Sequence, residues 1–239
     1  MSKAKKSIAI MQPVYLPWLG YFEQIALCDE FIFLDDVQYT KRDWRNRNRI
    51  RTKEGWMWLT IPVKKAKREQ LLNQTVINYE TKWQRKHLAA LESNYRPCPH
   101  YESIYALVRH EFAKAPSGLT DLTQSIVMKI ADYLNIETKF VKSSDLDISA
   151  TDKQERMLAL CVERQADVLY TGPAAKTYID QEAFNRKGIE VVFQDYQHPS
   201  YEQYFPEFES HMSIIDLLMS YGSKSCEILL SSPKPGFAK

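Results

Sequence analysis

The segment Gln12-Pro13-Val14-Tyr15-Leu16-Pro17-Trp18-Leu19-Gly20-Tyr21-Phe22 joins the apolar run Ile8-Ala9-Ile10-Met11 to an apparent helix ending near Asp29, after which a second apolar run, Phe31-Ile32-Phe33-Leu34, begins. A short apolar run, a turn holding two prolines and a glycine, a helix and another apolar run read as one β-loop-α-β unit. Ligands of open α/β sheets bind beyond the carboxyl ends of the strands. This loop follows the first strand, and Asp35 and Asp36 follow the second.

The later chain continues that pattern. Residues 138–141, 167–171 and 189–194 read as strands, alternating with helices over 152–165 and 175–187. Strands alternating with helices imply a mainly parallel sheet covered on both faces. Between the two halves, Trp56-Met57-Trp58-Leu59-Thr60-Ile61-Pro62-Val63 and Thr75-Val76-Ile77-Asn78-Tyr79 are rich in strand formers and suggest a hairpin across a basic loop. Residues 82–95, 101–114 and 119–135 read as three helices separated by Pro97-Cys98-Pro99 and Pro116-Ser117-Gly118. The expectation is one α/β domain over residues 1–239: a Rossmann-like, three-layer, mainly parallel sheet with an inserted β-hairpin and a helical insertion. The β-loop-α-β unit and basic hairpin occupy 1–80, the helical insertion 81–136 and the second α/β half 137–239.

A chain of 239 residues with 44% apolar and 26% charged residues can bury a sizeable core. Its formal charge of +2 creates no global field for nucleic acid or an acidic membrane. The apolar run behind the basic N-terminus stops at Gln12-Pro13, too short for a signal peptide, and no run approaches the roughly 18 residues of a membrane span. A cytoplasmic protein without membrane insertion is expected. Cys28, Cys98, Cys161 and Cys226 are scattered without a CxxC pair, as expected of reduced, buried thiols rather than a disulfide framework or zinc site. No metal ligand set is expected.

Local charge is less even. Residues 41–68 hold eleven basic and two acidic side chains, interleaved with Trp44, Trp56 and Trp58. If residues 45–51 are extended, Arg45, Arg47, Arg49 and Arg51 share one face, with Asn46, Asn48 and Ile50 on the other. Guanidinium forks on one face suit phosphate or carboxylate; the competing reading is a charged edge strand that blocks aggregation. Basic residues with interleaved aromatics also suit single-stranded nucleic acid, although no RNA- or DNA-binding module is recognisable.

Asp35 and Asp36 suit Mg²⁺, a substrate ammonium or general-base duty, or else a helix cap or an arginine pairing. Trp83, His87, Leu91 and Tyr95 recur every fourth residue on one helix face, which makes His87 either a general base or a hydrogen-bonded core residue. Thr171-Gly172-Pro173-Ala174-Ala175 opens a helix and offers either an anion site or a plain turn, with Tyr178 and Asp180 in the first turns beyond it.

Together these residues resemble the WbqC-like family across nearly the whole chain. The likeness is carried by Gln12-Pro13, Tyr15, Pro17 and Gly20-Tyr21-Phe22; Asp35-Asp36-Val37-Gln38 and Lys41; Trp44 with Asn46-Arg47-Asn48; the 58–63 run; Trp83 with Lys86-His87; Tyr178 and Asp180; and the segment 208–218. The resemblance implies a place in O-antigen or related surface-polysaccharide (lipopolysaccharide) synthesis. The expected activity is a transferase attaching an aminoacyl group, glycyl in the simplest case, to the amine of a nucleotide-linked amino sugar; the alternative is a non-catalytic nucleotide-sugar-binding or assembly protein.

Asp35, Asp36 and His87 are the expected catalytic residues. Gln12, Tyr15, Gly20, Tyr21, Gln38, Lys41, Trp44, Asn46, Arg47, Asn48, Tyr178 and Asp180 are the expected substrate contacts. The acyl donor would be an adenylate made from ATP with Mg²⁺, a carrier-protein thioester or an aminoacyl-tRNA. More distantly, the opening unit is similar to that of the HxGH nucleotidylyltransferases and pantothenate synthetases, but Trp18 and Tyr21 replace both histidines, which implies a loop that positions a ligand rather than one that transfers an adenylyl group.

Overall fold

The computed structural model describes residues 5–65 and 69–238; residues 1–4 of the basic N-terminus, Lys67 and Arg68 of the basic tract, Ala66 and Lys239 lie outside the described residues. The chain runs through β1 (Ser7–Met11), α1 (Leu19–Leu27) and β2 (Glu30–Phe33). It then leaves the sheet for an antiparallel hairpin, β3 (Arg47–Thr52) and β4 (Gly55–Thr60), and for helices α2 (Trp83–Tyr95), α3 (Tyr101–Ala113) and α4 (Leu119–Tyr133). It re-enters through β5 (Lys139–Lys142), α5 (Lys153–Glu163), β6 (Val168–Thr171), α6 (Gln181–Asn185) and β7 (Glu190–Phe193), and ends in α7 (Ile214–Tyr221) and α8 (Ser225–Leu229).

The five strands of the main sheet pair in parallel in the order β5-β2-β1-β6-β7. Strand alternation divides their side chains between two cores. Ala9, Phe31, Phe33 and Tyr170 enter a large core with α1 to α4, α7, α8 and the hairpin, while Ile8, Ile10, Ile32 and Leu169 enter a smaller one under α5 and α6. Full burial of a Phe or Ile side chain contributes about 1.5–3 kcal/mol, so both helical layers are held to the sheet by its own strand residues. The expected three-layer, mainly parallel α/β fold is the observed one. Because α1 and α5 lie on opposite faces, the winding reverses between β1 and β6, and the crevice of such a sheet opens at the carboxyl ends of those two strands.

A buried polar network holds α1 over that crevice. Tyr170 Oη donates to Glu23 Oε1 (2.8 Å), and Gln194 Nε2 donates to Glu23 Oε2 (2.7 Å) and the Gly20 carbonyl (2.8 Å). Gln24 Nε2 completes it by donating to Gln194 Oε1 (2.7 Å). Burial raises the Glu23 carboxyl above its ordinary pKa, opposed by its bonds to Tyr170 and Gln194.

Two sequence expectations are corrected. The 56–63 run pairs chiefly with Arg47–Thr52, and its link to 75–79 is one bridge, Val63 to Ile77. Lys53 and Glu54 alone separate Thr52 from Gly55, whose φ of 120° glycine adopts freely, so the short closure prevails over the long basic loop. The helix expected over 175–187 is broken into a 3₁₀ turn, Pro173–Thr177, and the short α6. Tyr178 ends the first segment and Asp180 caps the second, its side chain accepting from the Glu182 N–H at 3.0 Å.

Candidate functional site

The turn after β1 is shaped by its prolines and by Leu16, which takes a positive φ of 44°. From there the chain enters α1, and the Trp18 indole folds back over Gly20; a Cβ on Gly20 would lie 2.2 Å from the ring, so glycine is needed to let the indole lie there. Beside this turn is a cavity of about 410 Å³ lined by Met11, Val14, Trp18, Tyr21, Trp44, Arg45, Asn48, Arg49 and His211. Its position at the carboxyl end of β1, beside the crevice, is where the fold places ligands, and its volume suits a small molecule.

Most of its wall is apolar, with a few oriented polar groups. Arg45 Nε donates to Gln12 Oε1 (2.6 Å) and Arg45 pairs with Asp43 (2.8 Å), so Gln12 holds this arginine from behind. Tyr21 Oη donates to the Gln12 carbonyl (3.1 Å). Asn48 Nδ2 donates to the Tyr15 and Leu16 carbonyls (3.2 and 2.8 Å) and fastens the hairpin to the turn. Arg49 donates through Nη2 to the His211 carbonyl (3.2 Å) and lies 5.8 Å from the Trp44 ring, while its buried Nε has no hydrogen-bond partner among the described residues. A buried unpaired guanidinium nitrogen is costly until a ligand oxygen meets it.

His211 sits in left-handed backbone (φ 60°), its ring stacked with Trp18 at 6.1 Å and Nδ1 2.8 Å from Ser210 Oγ. Its backbone N–H donates to His198 Nε2 (3.2 Å), which leaves Nδ1 of His198, 3.0 Å from the Pro199 carbonyl, as the protonated nitrogen. Burial lowers the His198 pKa and favours this neutral form.

The other expected site residues are elsewhere. Asp35 is buried, and its carboxylate accepts from Ser144 N–H (3.0 Å), Ser144 Oγ (3.0 Å), Ser143 Oγ (3.2 Å) and Gln124 Nε2 (3.2 Å). Asp36 pairs with Arg156 of α5 and also meets Ser143 Oγ. These carboxylates join β2 to β5, α4 and α5, and with their oxygens engaged they do not fit Mg²⁺. Among the described residues no group of three or more His, Cys, Asp or Glu side chains is arranged to hold a metal ion.

His87 lies under Tyr15, whose hydroxyl is 2.9 Å from Nδ1, and packs against Trp83 and Phe112. Burial lowers its pKa to about 4, a contact with the Thr60 backbone opposing the shift. Neither aspartate nor this histidine lines the cavity.

Asn46 Nδ2 donates to the Ile61 carbonyl (2.8 Å) inside the hairpin. Arg51, expected on the ligand-facing arginine face, is consumed by the Thr52, Gly55, Pro206 and Glu207 carbonyls. Arg47 stacks on Trp58 at 4.3 Å. Gln38 bridges to Leu71, Lys41 is exposed, and Tyr178 and Asp180 lie beyond β6 beside α6. All four cysteines are free; burial pushes the Cys98 and Cys161 thiols up to about 11 and about 12, which removes them as nucleophiles near neutral pH. A larger open depression of about 640 Å³ lies at the opposite strand ends, where Lys6 and Arg164 are already paired with Glu30.

A doubly wound sheet with an arginine- and tryptophan-lined cavity beside its crevice places this chain among the open-sheet α/β proteins. More particularly, the chain belongs to the WbqC-like protein family, whose model matches residues 12–228. It is 39% identical over 227 residues to the uncharacterized protein Rv1507c of Mycobacterium tuberculosis, covering 94% of this chain and 97% of that one. No solved structure matches it. Among the described residues no helix is long and apolar enough to cross a membrane.

Proposed function

We propose that the cavity binds a nucleotide-linked amino sugar and that the protein is a transferase of surface-polysaccharide synthesis, joining an aminoacyl group to the sugar's amine. The observation that carries this reading is the pairing, in one cavity wall, of Arg45 and Arg49 with Trp18, Trp44 and Tyr21. Guanidinium forks suit a diphosphate, and indole or phenol rings suit the flat face of a base or sugar. Family membership supports the pathway, and the volume supports a ligand of this size.

In amide formation the amine nitrogen attacks the acyl carbonyl, the carbon–nitrogen bond forms, the bond to the donor's leaving group breaks, and the amine proton must be carried away. His211 is the imidazole that lines the cavity, and with Nδ1 beside Ser210 its Nε2 is the nitrogen for that task. It replaces Asp35, Asp36 and His87 in the proposal. The donor is an activated acyl ester, thioester or adenylate, brought in as a second substrate.

A second reading, a non-catalytic nucleotide-sugar-binding protein, is favoured by one observation: no carboxylate is among the residues lining the cavity. Thermal shift with a panel of nucleotide-amino sugars, ATP and acyl donors, followed by mass spectrometry of the mixtures, separates the two. A nucleotide sugar that raises the melting temperature and an amide product lost in His211→Ala support the transferase. Stabilisation without amide product leaves the binding protein, and no stabilisation by any nucleotide sugar overturns both.

A further inference from the structure

The hairpin carries a surface that the cavity uses only at its edge. Its register sets Arg49 opposite Trp58 and Arg51 opposite Trp56, so that Arg47, Arg49, Trp56 and Trp58 share one face. The guanidinium of Arg47 lies 4.3 Å from the Trp58 ring and that of Arg49 4.9 Å from Trp56, while Trp44 joins the group 5.3 Å from Trp58. Trp44 and Trp56 are 41% and 42% exposed, costly for the largest apolar side chain in a surface with no further task. Both arginines have a buried Nε without a hydrogen-bond partner among the described residues.

The chemistry narrows what fits. Arg47 and Arg49 repeat at the two-residue period of a strand, about 6.6–6.8 Å, on the scale of the step between successive phosphates in an extended single strand. Exposed indoles offer stacking faces to bases, and guanidinium forks take phosphates. A neutral glycan would stack on the rings and leave the arginines unmet. A duplex would meet the arginines but keep its bases from the rings. Exposed Lys41 and Arg42 before β3 and Lys53 in the turn flank the group in sequence and add to the local positive field.

We propose that this Arg/Trp face of β3 and β4 binds single-stranded nucleic acid, phosphates on Arg47 and Arg49 and bases on the exposed Trp56 and Trp44. It goes beyond the cavity's reading and requires no reaction there.

The test uses the full chain with short single-stranded oligoadenylate, as RNA and as DNA, the corresponding duplexes, and heparin as a polyanion without bases. Quenching of tryptophan fluorescence reports binding. Single strands are expected to bind at low salt and quench, with log K falling linearly in log salt by roughly 0.7 per phosphate contacted. Trp56→Ala should weaken binding at least about fivefold, the low end for losing one stacked base. Arg47→Ala should lower the salt slope by about 0.7.

RNA and DNA binding both support the site, and the tighter of the two names its ligand. Absence of binding at low salt, equal affinity for duplex or heparin, or unchanged binding by both variants overturns it. Trp56 and Arg47 do not line the cavity, so nucleotide-sugar stabilisation should survive in both variants, and the two proposals fail separately.

Discussion

The carboxyl ends of β1 and β2 are adjacent edges of one sheet, yet they are built oppositely. After β2, the Asp35 oxygens accept from Ser143, Ser144 and Gln124, and Asp36 pairs with Arg156. After β1, the chain leaves a cavity of about 410 Å³; a buried arginine Nε without a hydrogen-bond partner among the described residues occurs at both ends, in Arg49 here and in Arg156 beside Asp36. The Asp35 carboxylate resists change because every displaced donor would be left buried and unpaired, whereas the β1 end has open volume beside its polar groups. A carboxylate at a strand end therefore does not by itself mark an open edge; the open volume after β1 separates the two ends.

The largest effect that separates the two ends is on stability. Asp35→Ala strands several buried donors at about 1–3 kcal/mol each, so a loss of about 4 kcal/mol is expected. At about 2–4 °C per kcal/mol for a chain of this size, the melting temperature should fall by on the order of 10 °C. Ligand-induced stabilisation measured below the transition should persist. A variant that melts like the parent but loses turnover would return Asp35 to the chemistry and break the contrast.

His87 belongs with the closed end, and acid should reveal it. Its folded-state pKa, about 4, lies below the ordinary 6.5, so its contribution is fully present above pH 6.5 and is lost as pH falls toward 4. A shift of that size corresponds to roughly 3 kcal/mol of stability. Denaturant melts from pH 7 to pH 4 should show this loss, and His87→Gln should flatten it. An equally steep acid loss in the variant would assign the sensitivity to another group.

The fold was legible because its elements are long or periodic. Trp83, His87, Leu91 and Tyr95 all lie on the buried side of α2, and the apolar runs at Ile8 and Phe31 are buried strands. Pairing partners were less so: period two placed Arg47 and Asn48 on opposite faces of β3 but could not say that β4 would be the partner.

Gln12, Tyr21, Trp44 and Asn48 line the cavity or support it, and all come from the loop after β1 and the basic tract. His211 and Trp18 also line the cavity and are not among the expected substrate contacts. His211 has no ligand spacing, and its one signal was membership in the 208–218 segment of the family resemblance. Trp18 was read only as the replacement for a histidine. Asp35 and His87 do not line the cavity; sequence shows a titratable group without showing whether its bonds are already made.

The smallest effects test the open end against its neighbour directly. Arg49→Ala should leave stability within about 1 kcal/mol, because its donated bond to the His211 carbonyl is at the surface and its Nε has none to lose. If the guanidinium meets a phosphate, the variant should lose about 1.5–3 kcal/mol of nucleotide-sugar binding, a ten- to hundredfold weaker dissociation constant by calorimetry. Asp36→Asn is the matched control. It weakens a partly exposed ion pair with Arg156, worth under about 1 kcal/mol to stability, and should leave the dissociation constant unchanged. If Asp36→Asn weakened binding as much as Arg49→Ala, the ligand would span both strand ends, and the division between an open and a closed edge would have to be redrawn around the pair.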